Sequence, residues 1–147
     1  MSSEIKRILV ADTQVPFVTG GAELMVRQLV SQLARRYDVE LVRLPFRPEK
    51  KSDLLAQAAA WRLIDLTTAN GRPTDLLIAT RFPSYFARHP RKVAWVTHQH
   101  RAAYDLCGTQ YSDFTHTDED VGLRQHLIEL DRRMLGECRH VFTIAKN

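Results

Sequence analysis

Apolar positions along this chain follow two rhythms. Ile5 to Ala11 (IKRILVA) is short, branched and mostly apolar, as expected of a strand buried on both faces. Asp12 to Thr19 reads as a loop. Apolar residues then recur at Ala22, Met25, Val26, Leu29, Val30 and Leu33, one face of a helix. Glu23 in its first turn and Arg35-Arg36 at its end suit the helix dipole. Val39 to Leu44 (VELVRL) predicts a second strand, after which Pro45 and Pro48 break the chain. Ser52-Asp53 predicts the cap of a helix running to about Thr68, with Leu54, Ala58, Trp61 and Ile64 on one stripe and Asn70-Gly71-Arg72-Pro73 as its stop.

Asp75 to Thr80 (DLLIAT) predicts a third strand, Ser84 to Arg88 a helical turn, and Lys92 to Thr97 (KVAWVT) a fourth strand. His98 to Asp120 is polar and without period, a long loop with a turn of helix over Arg101 to Leu106. Loops of that length in a compact domain usually carry function. Asp120 opens a helix with Leu123, Leu127, Leu130 and Met134 in register, ended by Gly136, and His140 to Ala145 (HVFTIA) predicts a fifth strand. Strands alternate with helices throughout. The expected fold is α/β, a Rossmann-like parallel sheet with helices on both faces, in a single domain over residues 1–147. Trp61 and Trp95 fall on apolar stripes and are expected in the core.

Composition narrows the partners. Of 147 residues 44% are hydrophobic and 26% charged, which is globular. The net charge is +4. Basic clusters at Arg35-Arg36, Lys50-Lys51 and Arg88 to Lys92 read most simply as solvated surface. They also suit anionic partners, and peripheral contact with a membrane surface is compatible with them. No zinc finger, basic helix or aromatic RNA motif accompanies them, so nucleic acid is not an expected partner. Cys107 and Cys138 form no C-x-x-C and read as free thiols. Neither a signal peptide nor an apolar run of ~20 residues is present, so a cytoplasmic protein is expected.

In open α/β sheets ligands sit beyond the carboxyl ends of the strands, so candidate chemistry is sought there. Gly20-Gly21 precede the first helix. Two readings fit: a tight turn, or a bare backbone that lets an anion approach the helix N-terminus. The pattern is neither G-x-G-x-x-G nor a P-loop. His98-Gln99-His100-Arg101 follows the fourth strand. A histidine there can bond a substrate hydroxyl or move a proton, and surface histidines in a polar loop are the plainer reading. His-x-His is also a metal-pair spacing, with His116, Asp105 or Cys107 as further ligands. No H-E-x-x-H motif supports it, and neither a metal nor a cofactor is expected. Arg81, after the third strand, can hold a carboxylate or phosphate bidentately, or form a local ion pair.

Two stretches become recognisable together. The strand, loop, Gly20-Gly21-Ala22-Glu23 and amphipathic helix resemble the N-terminal half of retaining GT-B glycosyltransferases of family 4. VAWVTHQHRAAYDL, from Val93 to Leu106, is similar to the loop after the fourth strand in bacterial members, where a histidine precedes an Arg…Tyr-Asp segment. HVFTIAKN, from His140 to Asn147, is similar to the stretch where such enzymes leave their first Rossmann-like domain. The resemblance implies that Gly20 and Gly21 approach the diphosphate of a nucleotide-sugar donor. It implies that His98 contacts the reacting centre, with His100 in reserve, and that Arg101, Tyr104 and Asp105 line the acceptor side, to which Arg81 is added. Glu23 is expected to support the loop. The partners implied are the nucleotide-sugar and a glycan or glycolipid acceptor. The family's donor site lies mainly in a second domain, which supplies an Arg/Lys pair and a Glu-x7-Glu segment; in this sequence no Glu-x7-Glu follows a strand in the right setting. The chain is therefore expected to be an N-terminal half, inactive alone. One wall of a cleft supplies one or two hydrogen bonds of about 1 kcal/mol each, far from the ~8 kcal/mol or more that enzymes remove from a barrier. The competing expectation is a Rossmann-like module that binds a ligand or partner without chemistry; a third is a metal-dependent hydrolase using His98 and His100.

Overall fold

The computed structural model describes residues 4–97, 99–104 and 106–144. Five strands form one parallel sheet: β1 (Arg7–Gln14), β2 (Asp38–Pro45), β5 (Leu76–Ala79), β6 (Lys92–Val96) and β7 (His140–Thr143), in the order β2-β1-β5-β6-β7. β3 (Thr68–Ala69) and β4 (Arg72–Pro73) make a separate small hairpin. The helices are α1 (Gly21–Leu33), α2 (Leu54–Leu63) and α3 (Asp118–Gly136). The doubly wound α/β class expected from the alternation is the class observed.

β1, paired between β2 and β5, is buried along nearly its whole length, with Ile8 to Thr13 all buried. Ile8 and Val10 face α1, where Val26, Leu29, Val30 and Leu33 meet them with Val39, Leu41, Leu76 and Ile78. Leu9 and Ala11 face the larger core under α2 and α3, with Leu54, Ala58, Trp61, Leu77, Leu127 and Met134. The period of each helix thus selects the residues it buries.

Several boundaries differ from the sequence expectation. β1 runs past Asp12 to Gln14, in register with Arg43 to Pro45 of β2. A buried charge therefore stands inside a strand, which local polarity reads as a loop. α2 stops at Leu63, well before Thr68. The Asp65 carboxylate accepts from both the amide and hydroxyl of Thr67, and Thr74 bonds back to Leu66 and Thr67. These contacts offer the backbone a better alternative than another helical turn. Asn70 and Gly71, at φ 52° and 72°, form the two-residue hairpin turn that needs positive φ at both positions. α3 begins at Asp118, capped by Thr117 Oγ1, which accepts from the Asp120 amide. Trp61 is 1% exposed, whereas Trp95 is only half-buried. Trp95 shares the α1 side of the sheet, but α1 packs over β2, β1 and β5 and not over β6. β7 is exposed on both faces, unlike the other four strands of the sheet.

Among the described residues no helix is long and apolar enough to cross a membrane. The turn after β1 is unusual. Val18 N donates to Val15 O at 3.1 Å, and Phe17 holds φ 65° while fully exposed. A bulky side chain in this region costs about 1–2 kcal/mol, against about 0.5–1 kcal/mol of extra unfolded-state entropy for glycine. Phe17→Gly is therefore expected to stabilise the fold by up to about 1 kcal/mol, read as a Tm raised by roughly 2–4 °C. A lowered Tm would show that the ring contributes to stability.

Candidate functional site

The carboxyl ends of β1, β2, β5 and β6 open into a cavity of about 480 Å³. Its floor is aromatic. Phe46, which follows β2, meets Phe82, which follows β5, edge-on with ring centroids 6.0 Å apart. The His100 ring lies 5.5 Å from Phe82 at 37° and 6.1 Å from Phe46 at 90°. Val15, Pro48 and Ala102 add apolar wall, and Glu49, Gln99, Arg101, Tyr111 and Asp113 supply polar groups. Phe46 is held there because its amide donates to Gln14 O, extending the β1–β2 ladder by one bond. Apolar walls with a few polar groups are the usual make-up of a small-molecule site.

Behind the cavity, on the α1 side, lies a buried ion cluster. Asp12 is 0% exposed. Arg81 grips it bidentately, Nε to Oδ1 and Nη2 to Oδ2, both at 3.1 Å. Thr80 Oγ1 donates to Asp12 Oδ1 at 2.7 Å, and Arg43 Nε stands 3.9 Å from Oδ2. Arg81 also donates through Nη2 to Thr13 O and through Nη1 to Glu23 Oε1 at 2.9 Å. The other Glu23 oxygen accepts from the Gly20 amide at 2.7 Å. Burial pushes the Glu23 carboxyl up, but Arg81 and the Glu23 and Gly20 amides outweigh it and hold it below its ordinary value. Glu23 therefore supports the loop from beneath, as an internal carboxylate on the N-terminus of α1.

The glycines now have a sharper status. Gly20 sits at φ −140°, ψ −162°, extended backbone open to other residues. A Cβ on Gly20 would meet only Glu23 Oε2, at 3.4 Å, and one on Gly21 would meet nothing within 4 Å. Neither the turn nor the packing requires a glycine. Gly20 offers its amide to Glu23, while the amides of Gly21 and Ala22, in the first turn, lack intrahelical acceptors.

The long loop is tied down rather than loose. Lys51 Nζ donates to Asp113 O at 2.7 Å and to Asp120 Oδ2 at 2.9 Å. That same oxygen accepts from the Thr115 amide and hydroxyl, at 2.7 and 2.6 Å. Lys51, then Thr115, hold the Asp120 carboxyl down at about 2. Ser112 Oγ donates to Ala102 O at 2.6 Å, fastening the loop to itself. Asp131 of α3, 2% exposed, accepts from the hydroxyls of Tyr85 and Tyr104. Burial pushes Asp131 up, and the two hydroxyls only partly oppose it.

Of the expected site residues, Arg81, His100 and Arg101 border the cavity. Arg81 does so with its guanidinium committed to Asp12 and Glu23. Tyr104 points its hydroxyl at Asp131 instead, within the packing of α3. Gly20 and Gly21 lie across the ion cluster, at the start of α1. His98 and Asp105 lie outside the described residues. Among the described residues no group of three or more His, Cys, Asp or Glu side chains converges as a metal site would. Sequence reasoning missed Asp12, Phe46, Phe82 and Asp131. Asp131 had a signal, an acid lying between Leu127 and Met134 on the apolar stripe of α3.

No family model matches the chain, and neither a curated protein nor a solved structure matches it significantly.

Two outcomes follow from this geometry. Arg81→Leu leaves two carboxylates without their shared cation, and breaking a buried pair in this way costs about 3–5 kcal/mol, read as a lowered urea midpoint. The Asp120 carboxyl has a folded value below its ordinary one near 4. Its contribution to stability is present above about pH 4 and is lost as pH falls toward about 2. Melts across that range are expected to converge for the native chain and Asp120→Asn; a constant gap would remove the clasp.

Proposed function

We propose that this chain is the acceptor-side, N-terminal domain of a retaining glycosyltransferase that moves a sugar from a nucleotide-sugar to a glycan or glycolipid. The observation that carries the reading is the aromatic-floored cavity at the carboxyl edge of the sheet. A sugar ring presents an apolar C–H face and an equator of hydroxyls. The first suits the rings of Phe46, Phe82 and His100; the second suits Gln99, Arg101, Glu49 and Asp113. Gly20 and Gly21 support the reading differently. Their missing side chains have no internal reason, so they leave room for something from outside, and a diphosphate carried by a second domain is the expected visitor.

On this reading Arg81 borders the acceptor and takes its orientation from Asp12 and Glu23. His98 keeps its place as the residue at the reacting centre, on the resemblance alone. A second domain would supply the remaining diphosphate contacts and close the cleft against water.

A second reading, a Rossmann-like module that binds without chemistry, is favoured by one contact. Glu23 already occupies the Gly20 amide, which weakens the start of α1 as an anion site. Amide NMR titration of the chain with methyl hexosides and, separately, uridine diphosphate separates the two. The transferase reading expects hexoside binding at roughly millimolar affinity, with shifts at Gln99 to Arg101 and Tyr111. It expects weak diphosphate shifts at Gly21 and Ala22 that Gly21→Glu abolishes. Hexosides without effect would remove the acceptor role. Diphosphate shifts unchanged in Gly21→Glu would remove the role of the glycines.

A further inference from the structure

The most exposed large apolar side chain among the described residues stands two positions after Val15, which lines the cavity. Phe17 is fully exposed and Val18 is 51% exposed. They occupy a turn that is built, not frayed. Gln14 Nε2 donates to Val15 O at 3.1 Å and to Val18 O at 3.2 Å, clamping both ends. Pro16 fixes its own φ within the turn, and Phe17 takes the left-handed conformation for which glycine is the ordinary choice. A bulky ring held outward at a strained position points to a role outside the fold.

The surroundings identify the class of partner. The register Gln14↔Pro45 sets this turn beside the segment after β2, where Arg47 and Lys50 are exposed, Arg47 with Glu49 at 4.0 Å. In the first turn of α1, Leu24 is 53% exposed, and Arg27 follows one turn on, on the same side. Tyr111, which lines the same cavity, is 73% exposed. Four exposed apolar and aromatic side chains with exposed cations in neighbouring segments fall far short of the roughly 20–30 residues a side that a stable protein interface uses. Protruding apolar side chains with flanking cations are the make-up of an interfacial membrane anchor.

We propose that the Val15–Val18 turn is a preformed wedge that inserts Phe17 and Val18 into the interface of an anionic lipid bilayer. Arg27 and Lys50 lie against the headgroups, and the mouth of the cavity faces the membrane surface. The rigid turn matters because the ring is already extended, so insertion costs little ordering of the loop. Insertion of Phe17 and Val18 uses no residue of the cavity's aromatic floor.

Flotation of the whole chain with vesicles of phosphatidylglycerol and phosphatidylcholine is the test. The native chain is expected to float, and Phe17→Gly to lose partitioning by roughly tenfold or more while its melt shows an intact fold. Phe17→Trp is expected to keep partitioning, and its added indole to be quenched by brominated lipid more than the native Trp61 and Trp95 are. The proposal falls if the native chain stays with the soluble fraction, as it would were the ring a protein contact. It also falls if a folded Phe17→Gly floats as well as the native chain, or if brominated lipid quenches Phe17→Trp no more than the native chain.

Discussion

The Asp12–Arg81 pair joins three parts of this fold that would otherwise end independently. Asp12 comes from the far end of β1, Arg81 from the segment after β5, and Glu23, bound to the same guanidinium, from the first turn of α1. A carboxylate with no exposure is stable only where charge and hydrogen bonds replace water completely. Arg81 and Thr80 do this for Asp12, and Arg43 adds charge nearby. The consequence is positional. Phe82 follows Arg81 directly, so the floor of the cavity inherits its place from the ion cluster behind it.

The same cluster governs how the start of α1 meets an anion. An N-terminus with bare glycines attracts negative charge, and here the nearest negative charge is the protein's own. Glu23 commits its carboxylate to Gly20 and Arg81 together, leaving the outward amides of Gly21 and Ala22. Any phosphate arriving there meets a dipole partly satisfied from within. That explains in physical terms why a strong site would need positive groups from elsewhere, and why Arg81, although beside the cavity, is poorly placed to act as a free anion grip.

On the opposite side, the long loop is held by charge and hydroxyls together with the burial of Ala103 and Phe114. Lys51 reaches from the start of α2 to Asp120, and Asp120 gathers Thr115. Asp131 gathers two tyrosines, one from the segment after β5 and one from the loop. Gln99, Arg101 and Tyr111 thus line the cavity from a loop fastened at both ends. The exposed turn at Phe17 is fixed by a local clamp instead, independent of that loop.

The alternation of short apolar strands with amphipathic stripes was enough to determine the α/β class, because burying one face of each element leaves few arrangements. Val26, Leu54, Ala58, Trp61, Leu127 and Met134 were legible as core from spacing alone. The carboxyl edge was legible too, through Arg81, His100 and Arg101, since topology sends those loops to one end. What spacing could not reveal were choices made by partners distant in sequence. Asp12 reads as a loop residue until Arg81 supplies the charge that lets a strand carry it. Thr68 reads as helical until Asp65 and Thr74 offer the backbone other bonds. Trp95 reads as core until α1 proves to cover only three of the five strands. Periodicity records which face of an element is apolar; only the tertiary structure decides what stands opposite, because burial and pairing are properties of two surfaces rather than one.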